Sequence, residues 1–187
     1  MPPKVKITKE DIVQTTLSLV REKGESAINA RAIAATLQCS TQPIFSNFAT
    51  MEELQQATLK AAHDCYLDFL RREMESGVYP PYKSFGIAYI RFAKEEKELF
   101  QLLFMCDRQG EDLVPTVDFD ASIDMIMSAN GVTREQAERM HMEMWIFVHG
   151  VATMIATSFL TPEWELISEM LTDVYQGICA RHRTEEI

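Results

Sequence analysis

Residues 29–48 read Asn29-Ala30-Arg31-Ala32-Ile33-Ala34-Ala35-Thr36-Leu37-Gln38-Cys39-Ser40-Thr41-Gln42-Pro43-Ile44-Phe45-Ser46-Asn47-Phe48, and two short helices can be read from them. Asn29 can accept a free amide at the start of the first, whose apolar face is Ile33, Ala34 and Leu37. The alanines at 30, 32, 34 and 35 allow a neighbouring helix to come close. Gln38-Cys39 makes the turn, and Ser40 is placed to cap the second helix. Pro43 falls in its first turn, where a missing N–H costs little. Ile44 and Phe48 then face a core, which leaves Thr41, Gln42, Ser46 and Asn47 directed outward.

The flanks carry equally clear punctuation. Thr8 ahead of Lys9-Glu10-Asp11 is a capping box, and Ile12, Val13, Thr16, Leu17 and Val20 follow at helical spacing until Gly24. Thr50 with Glu53 is a second box, opening a long helix with Leu54, Ala57, Ala61, Cys65 and Phe69 on one stripe. A longer helix supporting two short ones across a tight turn is the helix-turn-helix arrangement. In it the second short helix enters the major groove, where Gln42 and Asn47 can pair with adenine and Thr41 and Ser46 are versatile hydrogen-bonders. Arg31 is placed for a backbone phosphate. The same polar residues would also suit a plain solvated helix face.

The whole chain has 187 residues, 47% hydrophobic and 25% charged, which excludes disorder and low-complexity repeats. Seven Gly and seven Pro are few for an all-β sandwich or barrel, and eleven Met favour helices. Met1-Pro2-Pro3-Lys4 lacks the apolar core of a signal peptide. The longest uncharged run, Met144 to Pro162, contains His149, Gly150, Thr153, Thr157 and Ser158 and reads as a buried helix rather than a membrane span. Cys39, Cys65, Cys106 and Cys179 form no C-x-x-C pair and read as reduced, buried thiols of a cytoplasmic protein. The net charge is -10, but it is uneven. Residues 1–50 hold six basic and four acidic side chains (net +2), whereas the rest hold 12 basic and 24 acidic (net -12). Such asymmetry suits a nucleic-acid-facing end on an acidic body.

Residues 33–48, followed by Glu52-Glu53-Leu54, resemble the N-terminal helix-turn-helix of the TetR/AcrR transcriptional regulators. The likeness covers roughly residues 8–62: an Ile-Ala pair, a Ser cap, an aromatic, a spaced Phe and Glu-Glu-Leu at fixed offsets. It implies a DNA-binding domain over 5–54 and a ligand-binding and dimerisation domain over 55–187, in an all-α fold of about nine helices. It also implies DNA contacts from Asn29, Arg31, Ser40, Thr41, Gln42, Pro43, Phe45, Ser46 and Asn47. Three departures stand out. Gln38 occupies a position where the family usually has Gly, so the turn would hold a strained residue. Phe45 replaces a usual Tyr and Met51 a usual Lys, removing two phosphate contacts and predicting weaker, less salt-dependent binding.

Tyr89-Ile90-Arg91-Phe92-Ala93 and Glu98 to Phe104 resemble the fifth and sixth helices of one branch of the family, with Lys97 where a Pro often stands. Trp145, His149 and Gly150 are similar to that branch's Trp…His-Gly signature. Within the larger domain, Ser76 to Tyr82 and Asp107 to Val117 read as loops, and Ser122 to Ala129 as a short helix stopped by Asn130-Gly131. Thr133 with Gln136 caps a long helix whose stripe is Ala137, Met140, Met144, Phe147 and Val151, becoming apolar nearly all round further on. Pro162 starts the last helix, where Trp164, Ile167, Leu171, Val174 and Ile178 form an a/d seam suited to a helix-bundle interface. The resemblance implies that two such terminal helices from each subunit form a four-helix dimer interface.

Phe92, Phe104, Met105, Met144, Trp145 and His149 are candidates for the wall of an apolar effector cavity; the alternative is ordinary core, with His149 a hydrogen-bonded core histidine. No G-x-S-x-G, H-E-x-x-H, P-loop or G-x-G-x-x-G occurs, so neither an enzyme nor a cofactor is expected. His141 and His149, with Glu138 and Glu143 near them, are too widely spaced for a metal pair. Glu95-Glu96 and Glu185-Glu186 sit in charged runs. The resemblance thus implies a homodimeric repressor of a pseudo-palindromic operator, released by a small apolar effector. The alternative is a helical small-molecule-binding or interaction protein that keeps the fold and has weak or lost operator binding.

Overall fold

The computed structural model describes residues 7–105 and 119–184, which are all-helical: nine α-helices and one 3₁₀ turn, with no strand among the described residues. The basic Lys4 and Lys6, Cys106, the loop from Asp107 to Val117 and the Glu185-Glu186 pair lie outside the described residues. No helix is long and apolar enough to cross a membrane among the described residues. Two compact units separate, one of residues 7–65 and 96–105, the other of residues 66–95 and 119–184.

The first unit opens with α1 (Lys9–Lys23). Thr8 Oγ1 accepts from Asp11 N at 3.1 Å and the Asp11 carboxylate accepts from Thr8 N at 2.8 Å, so the expected capping box is complete. Those bonds hold the Asp11 carboxyl below its usual range. Ile12, Val13, Thr16, Leu17, Leu19 and Val20 are buried on one face, and Gly24 ends the helix at φ 74°. A single 3₁₀ turn (Glu25–Ala27) leads to α2 (Ala30–Thr36), capped by Asn29 Oδ1 accepting from Ala32 N at 2.9 Å.

The turn into α3 (Gln42–Asn47) is a Schellman motif. Cys39 N donates to Ala34 O (2.9 Å) and Gln38 N to Ala35 O (3.2 Å), with Gln38 at φ 52°. A residue with a Cβ thus sits where glycine costs least, the strain that the sequence predicts at this position. Ser40 does not cap α3: Thr41 occupies that place with helical backbone and no side-chain cap bond. Ile44 and Phe48 are buried as expected.

Residues 51–65 of α4 (Met51–Ser76) and all of α6 (Lys97–Phe104) complete this unit. Glu53 N donates to Thr50 Oγ1 (3.2 Å), but the Glu53 carboxylate reaches one residue further back, to Ala49 N (2.7 Å). The buried stripe of α4 is Leu54, Thr58, Ala62, Tyr66, Phe69 and Leu70, one residue on from the expected Ala57, Ala61 and Cys65, which are half-buried. Thr58 joins the core because its hydroxyl donates to Leu54 O at 2.8 Å, so no polar group is left bare. On α6, Leu99, Phe100, Leu102 and Leu103 are buried, and α6 packs on α1. The chain leaves this unit through α4 and returns for α6, so the units do not divide at a single point near residue 54.

The second unit holds the rest of α4 with α5 (Pro81–Glu95), α7 (Phe119–Asn130), α8 (Arg134–Ala156) and α9 (Trp164–Thr184). Pro81 and Tyr82, read from sequence as loop, already belong to α5, and α9 starts two residues after Pro162. Thr133 and Gln136 form the expected box on α8. Its buried stripe is Ala137, Met140, Met144, Val148, Ala152, Ile155 and Ala156, with Phe147 and Val151 half-buried. This helix is not buried on several sides: Met142, Trp145, Ile146 and Met154 are exposed.

Replacing Gln38 with Gly should stabilise the protein by about 0.5–1 kcal/mol, the left-handed penalty less the added freedom of the unfolded chain. Urea denaturation checks this, and an unchanged or lower midpoint would show that the turn is not strained.

Candidate functional site

On the first unit, the face of α3 is the candidate surface. Gln42, Phe45 and Ser46 are exposed, Thr41, Pro43 and Asn47 are half-buried, and Ser40 is exposed in the preceding turn. Two of the expected outward polar side chains are already bonded to their own helix. Ser46 Oγ donates to Gln42 O at 2.8 Å, and Asn47 Nδ2 donates to Pro43 O at 2.8 Å and to Ile7 O at 3.4 Å. Pro43 sits early in a short helix, so its carbonyl finds Asn47 as a local partner. Asn47, expected to point outward as a base reader, is thus half-buried with its amide engaged by its own helix. Asn29, likewise, is engaged as the cap of α2 and through 3.4 Å bonds to Ser26 O and Ala27 O. Arg31 is exposed in the first turn of α2.

Three cations of this unit, Lys9, Arg21 and Lys60, are paired within it. Lys9 Nζ pairs with Glu53 at 3.0 Å and lies 4.9 Å from the Phe48 ring centre. Glu53 is held below its usual range by the Ala49 amide first and Lys9 second. Arg21 grips Glu96 with Nε at 2.8 Å and Nη2 at 3.0 Å, and its Nη2 lies 3.6 Å from Cys65 Sγ. The fork geometry raises the Arg21 pKa further.

On the second unit, α5 and α8 face each other through two tyrosine–histidine rungs. Tyr82 Oη lies 3.0 Å from His141 Nδ1 and Tyr89 Oη 2.9 Å from His149 Nδ1. Both rungs advance along both helices, so α5 and α8 run in the same direction here. Burial pushes the Tyr82 and Tyr89 phenols up, out of the range in which they ionise, and pushes both histidines down. Trp145 stacks on His149, ring centres 5.1 Å apart and planes within 10°. Tyr66, Phe69 and Phe92 form a cluster with centres 5.4 Å from Phe92 to each of the others.

The six predicted wall residues do not all fall in one unit. Phe92 (fully buried), Met144 (buried), Trp145 (38% exposed) and His149 (half-buried) belong to the second, whereas Phe104 and Met105 belong to the first, with Phe104 packed on Phe100 at 5.2 Å. The Tyr82–His141 pair and Tyr89 are the groups that composition alone does not single out. Their signal is spacing, seven residues on α5 and eight on α8, which returns each pair to one helix face.

The α9 seam is used within the chain itself. Ile167, Leu171 and Ile178 are 2, 3 and 9% exposed, and α9 packs on α5 and α8. Val174 is half-buried, and Trp164 carries Arg91 at 4.8 Å and Lys94 at 5.8 Å over its ring. Arg91 in turn pairs with the buried Glu73 at 3.1 Å. Three of the five seam residues expected at a dimer interface, Ile167, Leu171 and Ile178, are thus packed inside the protomer, where α5 and α8 take up the apolar face. Lys83 Nζ pins α9 from the same side, donating to Ser168 O, Ser168 Oγ and Thr172 Oγ1, each at 2.8 Å.

Besides Trp145, α8 and α9 leave outside Met142, Ile146 and Met154 on one and Leu166 on the other. Gly150 and Gly177 lie mid-helix, and a Cβ added to either would meet no atom of the described residues within 4 Å.

Compared with known protein-family models and with curated proteins, the chain matches none.

Lowered histidine pKa values carry a sign. The folded state binds fewer protons than the unfolded one near pH 6.5, so His141 and His149 add a loss of stability as pH falls from about 7.5 through that value. The urea midpoint should fall between pH 7.5 and 5.5 by less in a His141→Gln, His149→Gln variant than in the parent. Equal slopes would contradict this account.

Proposed function

We propose that this protein is a cytoplasmic DNA-binding transcriptional regulator, a homodimeric repressor of the TetR/AcrR type, released from a pseudo-palindromic operator by a small effector. The observation that carries the reading is the exposed edge of α3. Gln42, Phe45 and Ser46 project from a short helix held at a fixed angle to α2 by the Schellman turn at 37–39 and anchored below by Ile44 and Phe48. A rigidly mounted short helix with a polar outer edge suits the major groove. Gln42 is the candidate base reader and Arg31 a candidate phosphate contact.

Dimerisation is supported by the outward faces of α8 and α9. Glycine inside a helix costs roughly 1 kcal/mol relative to alanine. No described residue occupies the space over Gly150 or Gly177. Close approach of a second copy's helices, with Met142, Ile146 and Leu166 flanking, gives both glycines a reason and covers apolar surface that would otherwise face water. An effector bound in the second unit would act by biasing α4, one helix continuous through residues 51–76, between two positions of different operator affinity.

A second reading, a helical small-molecule-binding or interaction protein without operator affinity, is favoured by the bonded state of Asn47 and by Phe45 and Met51 in place of phosphate-contacting residues. A gel shift with DNA flanking the protein's own gene separates the two. A regulator gives a discrete complex that weakens with salt. Gln42→Ala should then lower the operator-to-random ratio by about 1–3 kcal/mol, whereas Asn47→Ala should leave that ratio unchanged. No complex at low salt would favour the second reading.

The dimer is tested by Gly150→Ala with Gly177→Ala. On a free helix surface the two changes stabilise, by about 1 kcal/mol each. At a close interface they separate the subunits, and the sedimentation mass falls to one chain. A double variant that is more heat-stable at unchanged mass would remove these helices from the interface.

A further inference from the structure

A cavity of about 370 Å³ opens between the C-terminal end of α7 and one flank of α9, lined by Asn130, Tyr175, Gln176, Cys179 and Ala180. It lies within the second unit and shares no residue with the candidate effector wall. We infer that this cavity binds an uncharged, planar small molecule carrying an amide-type edge, one hydrogen-bond donor beside one acceptor.

The lining fixes the class. None of the five residues carries a formal charge, so a charged group entering the cavity would lose hydration with no opposite charge in the lining. Asn130 uses both amide hydrogens, one to Ile126 O at 2.9 Å and one to Tyr175 Oη at 2.8 Å. Because Ile126 O can only accept, the identity of the Asn130 nitrogen is settled, and the polar atom left over is the acceptor Oδ1. The C-terminal carbonyls of α7 add partial negative charge at the same end. That side of the cavity calls for an N–H donor.

Gln176 supplies the complement. It is exposed on α9, and its side-chain amide engages no other described residue, so its Nε2 can donate to a ligand carbonyl. Donor to Asn130 and acceptor from Gln176 is the edge of a primary carboxamide, a lactam or a heteroaromatic amide. Tyr175 offers the face against which a flat ring packs, and it is held in place from behind by Asn130 and by the Tyr82 ring, whose centre is 5.4 Å away. The volume lies at the small end of the range for ligand sites, and the short side chains of Cys179 and Ala180 leave room for a ring rather than a chain.

The test uses the full-length protein and four probes of matched size: benzamide and 2-pyridone, which carry the edge, and benzoate and benzylamine, which carry a charge instead. Side-chain amide signals of Asn130 and Gln176 are followed in ¹H–¹⁵N spectra, at probe concentrations up to about 10 mM because molecules this small bind weakly. The two neutral probes should shift both signals and the charged ones should not. Ala180→Trp, a change at an exposed position that fills the cavity, should weaken the response about tenfold or more; Gln176→Leu on the rim should do the same and serves where Ala180→Trp does not fold. No shift, equal shifts from charged probes, or full response in a folded Ala180→Trp protein overturns the inference. Operator binding measured on the same sample keeps the two questions apart, since the cavity depends only on α7 and α9.

Discussion

The second unit depends on a single stripe of α8. Ala137, Met140, Met144, Val148, Ala152, Ile155 and Ala156 form a ribbon against which α5, α7 and α9 all pack. Alanines stand towards both ends of it with Met140, Met144 and Val148 between them, so helices approach closely at the alanines while the larger side chains fill what remains. Each large side chain buried there contributes about 1.5–3 kcal/mol by removal from water. The two tyrosine–histidine rungs add direction rather than much energy: a slip of α5 along α8 by one residue would part both hydrogen bonds at once and leave four half-satisfied polar groups. One apolar face used to the full also means that the opposite face of α8 has little cover among the described residues. Its exposed Met142, Ile146 and Met154 follow from the same geometry as its buried core.

Local signals in the sequence are legible where the physics is local. Caps at Thr8, Asn29 and Thr133, the stop at Gly24 and the strained turn at Gln38 are satisfied by atoms within a few residues, and each is found in place. Stripes are legible to within one residue. On α4 a strict four-residue step from Leu54 leads to Thr58 and Ala62, and choosing the more apolar Ala57 and Ala61 misplaces the face, because a threonine that bonds its own backbone is as welcome in a core as an alanine. The apolar seam of α9 is equally plain in sequence, but a seam does not say whether its partner lies in the same chain or in another. Here α5 and α8 occupy it.

Long-range pairings are where the sequence runs out. Arg21 and Glu96 are 75 residues apart, and nothing in either neighbourhood announces the other; yet that fork, with Leu99, Phe100, Leu102 and Leu103 beside it, places α6 in the first unit. A boundary drawn at residue 54 from a local resemblance could not anticipate a segment that returns. The candidate effector wall is divided for the same reason, Phe104 and Met105 travelling with α6 while Phe92, Met144, Trp145 and His149 remain on α5 and α8.

Charge bears on the functional reading in a way that the net +2 of the first fifty residues conceals. Lys9 and Arg21 are neutralised by Glu53 and Glu96, and Lys60 by Asp64 at 2.6 Å, whereas no ion pair joins Lys23 or Arg31 to another described residue. Each cation already paired must exchange one anion for another on meeting a phosphate, so it adds little to the counterion release that drives non-specific binding. Arg31 differs, because it stands in the first turn of α2 where the amide end of the helix disfavours a cation and an arriving phosphate relieves that strain. An operator-binding surface of this construction gains little from DNA in general. Under the proposed regulatory reading, affinity would have to come from base contacts at α3 and from two copies engaging at once, which would tie DNA recognition to dimerisation more tightly than in a protein with a broad basic face.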